Sequence, residues 1–455
     1  MNNLLTTTAS RRFKSGLASV MIGLAAVAAV IIVPETAQAT SGNRATQLVA
    51  AFTGTAPNRV AFTPDGSKAY VPNTGTNTVS VIDAQNHKQL KIINLPRGST
   101  PGNLAVAPDG TKVYVLDTGT HSVFIIDTKT DDLASTSTVK GYKGTSPYSV
   151  AFSRAQGANL AYVTNNDEVA SVSIIDTSTD TQTGAVDGYD GAQGAHGVAF
   201  APDGTFAYVA TSESVAVIDV SKHQQSATVS SYTGDTPLNI AITPDGKKAY
   251  VTNQQSNSVS VIDTGTHTQT KEVAKFNGIF PADVAANPDG AIVYVTGFGS
   301  HSVSVIDVAT DTQTNTVDLN SYEGNHLNGV KFRPDANPSN DGDVAYVVYN
   351  GSDNVAVIQV HPAAAIIAPP LAPSSGQVQG GTSVTITGKN LLDTTGVTFG
   401  GTAGTSPTVV DDKTVTVITP AAPGGDPAQV EVIVENEGGP GKAEKAFTYI
   451  TVDPN

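Results

Sequence analysis

The chain of 455 residues contains no cysteine and no tryptophan. The first absence excludes a disulfide framework, a thiolate metal site, a cysteine nucleophile, thioether haem attachment and a lipoprotein-type lipid anchor. Stability must therefore rest on packing and hydrogen bonds. The second removes the side chain that most often fills interface hot spots; tyrosine partly substitutes. Charge is sparse as well, with Asp, Glu, Lys and Arg at 14%, against roughly a quarter in average proteins. Basic residues are the scarcer sign, and the net charge is −15. That argues against a nucleic-acid groove or an anionic membrane surface as partner. No G-x-S-x-G elbow, H-E-x-x-H pair or P-loop is present. What is abundant is Gly, Pro, Ser and Thr, which suits short strands and tight turns.

The first 39 residues read as an export address. Arg11, Arg12 and Lys14 precede the apolar run Gly16–Val33; Pro34 breaks that run, and Ala37-Gln38-Ala39 offers small residues for cleavage. A retained anchor is the rival reading, because about 18 apolar residues just span a bilayer. With cleavage after Ala39, the mature chain has no membrane span and is secreted, extracellular or part of the cell envelope.

From Ala45 onward the sequence repeats. "PDG" turns carry their Asp at 65, 109, 203, 245 and 289, with degenerate copies at 153–157 and 333–337. Strand endings "VID" fall at Asp83, Asp127, Asp176, Asp219, Asp263 and Asp307, and "VIQ" ends at Gln359. These mark seven units of about 40–50 residues, the size of one propeller blade. In each, a short alternating strand leads through Pro-Asp-Gly, which presets a turn, into two strands rich in Val, Ile and Tyr and a polar, Thr-rich fourth. Alanine recurs in the first strand (Ala61, Ala105, Ala151, Ala199, Ala241, Ala285), where inner strands converge; Lys331 is the exception. The seventh unit lacks a fourth strand, and a spare copy, Thr46–Gly54, precedes the first. Pairing the two closes the ring and removes an open inner edge.

"AYVTN", "VSVIDT" and "PDGKKAYVTN" resemble the YVTN-type β-propeller repeat of bacterial and archaeal surface and secreted proteins. The resemblance spans residues 45–360 and implies a seven-bladed β-propeller; it implies little about activity. Residues 361–375 are Pro- and Ala-rich and read as a linker. Alternating strands then follow in 376–451, and the "SSG…GGTSVTITG", "VTFGG" and "FTY" segments are similar to an IPT/TIG immunoglobulin-like β-sandwich, a family that commonly serves as spacer or adhesion module. The expected fold class is all-β: a seven-bladed β-propeller closed by an N-terminal strand, followed by a small Ig-like sandwich.

Ligands usually approach a propeller at one face, where the loops entering the first strands meet those between the second and third. Arg59, Asn73, Asn103, Asp117, Tyr148, Asn165, His196, Asn239, Asn253, Asp283 and His326 occupy those loops. Arg59, Asn103, Tyr148, His196, Asn239, Asp283 and His326 are the channel-mouth candidates for ligand binding. The competing expectation is that Asn and Asp there bond loop backbone. His196 and His326 converge on a transition metal only across the central opening. Asp117 and Asp283, beside Asn103 and Asn239, are oxygen ligands of the kind Ca²⁺ prefers, though no cofactor is expected. His121, His267 and His301 read as solvated turn residues.

The preferred expectation is a secreted or cell-surface, non-catalytic binding or scaffold protein that recognises an extracellular protein or polysaccharide. The alternative is a metal-dependent propeller hydrolase or lyase, lactonase-like, acting at the channel mouth with Asp283 and Asn239 at the ion. A third reading is an accessory subunit beside a redox enzyme.

Overall fold

The computed structural model describes residues 44–167, 171–189, 194–320, 326–334, 343–360, 365–389, 391, 394–411, 413–436 and 440–451. The segment expected to direct export lies outside them. Among the described residues no helix is long and apolar enough to cross a membrane.

Seven four-stranded antiparallel sheets form the blades. Blade 1 comprises Ala61–Phe62, Lys68–Asn73, Thr78–Asp83 and Lys88–Asn94; blade 2 comprises Pro101–Val106, Lys112–Asp117, Ser122–Asp127 and Asp132–Thr138. Blade 3 comprises Pro147–Phe152, Leu160–Asn165, Ser171–Asp176 and Thr181–Ala185, and blade 4 Val198–Phe200, Phe206–Ala210, Val215–Asp219 and Gln224–Thr228. Blade 5 comprises Pro237–Ile242, Lys248–Asn253, Ser258–Asp263 and Thr268–Glu272, and blade 6 Pro281–Ala286, Ile292–Gly297, Ser302–Asp307 and Thr312–Asp318. Blade 7 has Leu327–Phe332, Asp343–Tyr349 and Asn354–Val360 from the end of the repeat, and Arg44–Leu48 from its start. Each inner strand touches the next, and that of blade 7 meets that of blade 1.

Closure is direct. Arg44–Leu48 runs antiparallel to Asn354–Val360, with Ala45 opposite Ile358 and Leu48 opposite Ala356. The strand begins two residues before the expected Thr46, and Val49 continues the ladder by donating to the Val355 carbonyl at 2.8 Å.

One apolar cluster lies at each blade–blade interface. Between blades 1 and 2, Tyr70, Val79 and Val81 pack on Leu104, Val113 and Val115. Second strands are covered on both faces, so Lys68–Asn73 is buried at five of six positions. This is why they read as unbroken apolar runs. The fourth strands stay half exposed, as in Lys88–Asn94, and carry Thr, Gln and Lys.

The C-terminal strands make two facing sheets. One orders Ile366–Ile367, Ser383–Lys389, Thr414–Ile418 and Thr405–Asp411; the other orders Ser375–Gln377, Gly441–Ile450, Gln429–Asn436, Thr394–Phe399 and Thr402–Ala403. Val384, Ile386, Phe399, Val415, Val432 and Phe447 fill the space between. The expected linker is corrected in part. Residues 361–364 lie outside the described residues, but Ala365, Ile367 and Leu371 belong to the sandwich core. Their alternation is hidden among prolines, which an edge segment tolerates because few of its N–H groups enter a ladder.

Candidate functional site at the propeller mouth

A cavity of about 460 Å³ opens where the inner strands begin, with walls from six blades. Asn58, Arg59, Asn103, Tyr148, Phe298 and Asn328 are among its lining residues. Three of the sequence candidates, Arg59, Asn103 and Tyr148, therefore share one space. Asp283 adjoins them through Arg59, with Nε 3.9 Å from Oδ2. His196 adjoins through Tyr148, the ring centroids being 5.2 Å apart.

Most of these polar atoms are committed to neighbouring blades. Asn103 Nδ2 donates to the Tyr148 carbonyl at 3.1 Å, and Asn239 Nδ2 donates to the Ala282 carbonyl at 2.7 Å. His196 Nδ1 lies 2.9 Å from the Pro237 carbonyl. Asp283 Oδ2 accepts from Val330 N–H at 3.0 Å, and its Oδ1 accepts from Val284 N–H at 3.0 Å. Arg59 Nη1 reaches the carbonyl and side-chain oxygens of Asn328 at 3.0 and 2.5 Å. Asn103, His196, Asn239 and Asp283 each fasten their own blade to the next, and Arg59 ties blade 1 back to blade 7. Burial pushes Asp283 above the usual carboxylate range, opposed by Arg59 and the two N–H donors. Burial likewise raises the Tyr148 phenol, with Arg59 opposing. His326 stands apart: it is exposed, with its ring stacked on Phe298 at a centroid distance of 4.3 Å and an interplanar angle of 9°.

The remaining candidates lie away from the cavity, inside the sheets. Asn73 donates to Thr78 Oγ1 and Ser80 Oγ at 3.1 and 2.9 Å, and Asn253 to Ser258 Oγ and Ser260 Oγ at 3.0 and 2.9 Å. Asn165 does the same to Ser171 and Ser173. Tyr142 and Tyr232 donate from the preceding tails to the Asn165 and Asn253 oxygens. Asp117 Oδ2 accepts from Thr100 N–H at 2.7 Å, and its Oδ1 accepts from Thr120. The Asn of "YVTN" is thus a buried clasp between strands. Asp117 is tied up within blade 2 and Asp283 in the contacts above, so the two are not brought together. Among the described residues no three His, Asp or Glu side chains group as metal ligands would.

A second constellation escaped the sequence reading. In six blades the Tyr of the second strand reaches the turn before the fourth strand of the next blade. Tyr70, Tyr114 and Tyr250 bond Asp131, Asp180 and Asp311 at 2.5 Å. Tyr162, Tyr208 and Tyr346 bond His223, His267 and His87 at 2.7–2.8 Å. Each of these six turn residues has positive φ. Where the partner is Asp, a lysine two residues ahead of the Tyr neutralises it: Lys68, Lys112 and Lys248 lie 2.7–2.8 Å from the carboxylates. Where it is His, that position holds Leu160, Phe206 or Val344. His267 is therefore an interblade latch and not a solvated turn residue. The signal was available in the covariation of Lys with Asp between units.

The architecture defines a seven-bladed β-propeller followed by an immunoglobulin-like sandwich. Residues 97–273 match the family described as Lactonase, 7-bladed beta-propeller, and residues 369–449 match the IPT/TIG domain. The chain thus carries a seven-bladed propeller, part of which is similar to the Lactonase family, and a C-terminal segment similar to the IPT/TIG domain. Among solved structures it is similar to Kuenenia stuttgartiensis hydrazine synthase, at 20% identity and a TM-score of 0.55, covering 69% of this chain and 97% of that one. At that identity the likeness concerns the fold alone. No curated protein matches the sequence.

Proposed function

We propose that this is a secreted or cell-surface recognition protein whose propeller mouth binds an extracellular polysaccharide without transforming it. The observation that carries the reading is how the mouth spends its polar groups. Arg59, His196 and Asp283 are fastened to neighbouring blades, and among the described residues of the mouth no nucleophile stands beside a free base, as activated nucleophiles require. What faces outward is an aromatic platform, Phe298 stacked on His326, together with the amide pair Asn58–Asn328, in which Asn328 Nδ2 donates to Asn58 Oδ1 at 2.8 Å. Ile279 and Phe280 extend the apolar side of that rim, at 48% and 47% exposure. A flat apolar face next to polar amide groups suits a sugar ring, which presents both C–H faces and hydroxyl edges. A protein partner is the rival occupant of the same rim. Binding of the mature protein to glycan arrays, cell-wall polymer and secreted proteins tests the reading, with Phe298→Ala expected to weaken capture about tenfold. Clean turnover of a small substrate with no polymer bound would overturn it.

The match to the Lactonase family supports a second reading, metal-dependent hydrolysis at the same mouth. It requires Asp283 and Asn239 to leave their present partners and take up an ion. A stoichiometric divalent metal in the purified protein, lost together with lactone turnover in Asp283→Ala, would favour it.

A further inference from the structure

We propose that the cleft between blades 4 and 5 binds a primary ammonium group, carried by a small amine or by a lysine side chain of a partner protein. The propeller fills the equivalent place itself at three other interfaces. Lys68, Lys112 and Lys248 extend their ammonium groups into the next blade, to the Thr128, Thr177 and Val308 carbonyls at 2.9, 2.8 and 2.7 Å. Each also pairs with a turn carboxylate of that blade, Asp131, Asp180 or Asp311. Two more carboxylates belong to the repeat pattern there: the Asp of the lysine's own Pro-Asp-Gly turn and the Asp that ends the third strand of the next blade. For Lys248 these are Asp245 and Asp307. Between blades 4 and 5 the lysine and its turn partner have been exchanged together, for Phe206 and His267. The other two carboxylates, Asp203 and Asp263, are still present.

The exchange leaves a cavity of about 400 Å³, lined by Asp203, Phe206, Tyr208, Asp263 and Thr264 among others. It lies at the turns that follow the inner strands, the opposite end from the mouth. Thr264 supplies the carbonyl that corresponds to those of Thr128, Thr177 and Val308, and here it accepts from the Tyr208 hydroxyl at 3.1 Å. Asp203 and Asp263 each spend Oδ1 on their own turn, accepting from Thr205 and Thr266. No cation of a described residue lies within ion-pair distance of either carboxylate. Lys247, which also lines the cavity, turns its ammonium to Asp245 at 3.5 Å. Nor does His267 supply the charge, since burial lowers its pKa against the opposing pull of Asp263. Burial raises the Tyr208 phenol, and Asp203 and Asp263 raise it further, so both charges reach the same corner. Phe206 stands against His267 at a centroid distance of 4.7 Å and an interplanar angle of 73°. It is the one aromatic residue at this position of the seven second strands. A ring wall, a carbonyl and two carboxylates suit an alkylammonium, which brings a C–H stem, N–H donors and a positive charge. A hard metal ion asks for six to eight oxygens and gains nothing from the ring.

The test titrates the full mature chain with n-butylammonium chloride, the amine of a lysine side chain, at constant ionic strength set with NaCl. Amide NMR shifts of Phe206 and Thr264 report occupancy. Half-saturation is expected at about 1–10 mM. Phe206→Lys installs the residue that three blades already carry, so the ring is expected to fold with its own ammonium in the cleft. Asp263→Asn is the second variant and keeps an oxygen for the turn. Affinity should fall at least about tenfold in both. Tetramethylammonium, which has no N–H to donate, should bind at least about fivefold more weakly than n-butylammonium. A blocked Gly-Lys-Gly peptide that binds as well as n-butylammonium assigns the cleft to a protein lysine; rejection of the peptide assigns it to a small amine. The proposal is overturned if n-butylammonium moves neither amide at about 100 mM, if Phe206→Lys binds it as the wild type does, or if calcium chloride displaces it at a lower concentration. Polysaccharide capture is unaffected by Phe206→Lys in every case, which separates this site from the mouth.

Discussion

Phe52 occupies the place in its tail where Tyr142 and Tyr232 stand in theirs. Those two phenols donate to the oxygens of Asn165 and Asn253. Behind Phe52, the equivalent oxygen, Asn73 Oδ1, is buried without a partner among the described residues. A buried unmade hydrogen bond costs about 1–3 kcal/mol. Phe52→Tyr should therefore stabilise the protein by about 1–2 kcal/mol, seen as a higher urea midpoint at unchanged m-value. An unchanged or lower midpoint would refute the account of the clasp. His267 gives a prediction in pH. Burial lowers its pKa, with Asp263 opposing, so the unfolded chain takes up protons first as pH drops below about 6.5. Stability should decline through that window and level off below the folded pKa. The denaturation midpoint should fall between about pH 7.5 and 5.5, and His267→Gln should flatten that fall. Asp311 behaves oppositely. Burial would raise its pKa, but Lys248, Lys271 and Tyr250 outweigh it and hold the carboxyl low. Its contribution persists above the unfolded value of about 3.8 and is lost only as pH falls through the lower folded one.

A strand carries more than any of these bonds. Arg44–Leu48 supplies the fourth strand of blade 7, and Val49 sits beyond it at 3% exposure. Removing residues 44–52 strips the outer edge from Asn354–Val360 and uncovers part of the cluster between blades 7 and 1. The Tm should drop by more than about 10 °C, because several kcal/mol of burial and ladder are lost from a closed ring. Amide exchange should quicken first in Asn354–Val360; a protected edge strand in the truncated chain would show that closure is not what stabilises blade 7. This element was legible because a tail missing from one end appeared at the other. Thr405–Asp411 was not legible, since this edge strand exposes most of its positions, Val410 at 61%, and only Val409 packs on the core, too little to impose alternation. The mouth was half legible. The repeat register placed Arg59, Asn103 and Tyr148 together, but sequence position alone did not say that Asn239 and His196 would turn to a neighbouring carbonyl. Nor does any local pattern announce the stacking of Phe298 on His326, which meet only after two blades have packed.

At the scale of the whole molecule, charge and recognition are kept apart. The groups that face outward at the rim are aromatic and amide. Arg59 lies at that rim, but its charge is turned inward, to Asp283 and Asn328. A neutral polysaccharide seated on Phe298 and His326 therefore meets no unscreened charge, and its binding should hardly depend on ionic strength. Between about 50 and 500 mM NaCl the Debye length shrinks from about 14 to 4 Å, which would weaken a charge-driven complex by orders of magnitude. The dissociation constant of this complex should change less than about threefold over that range, by calorimetry at fixed pH. A steep loss of affinity with salt would place an acidic or basic partner on the rim and remove the argument for a neutral one.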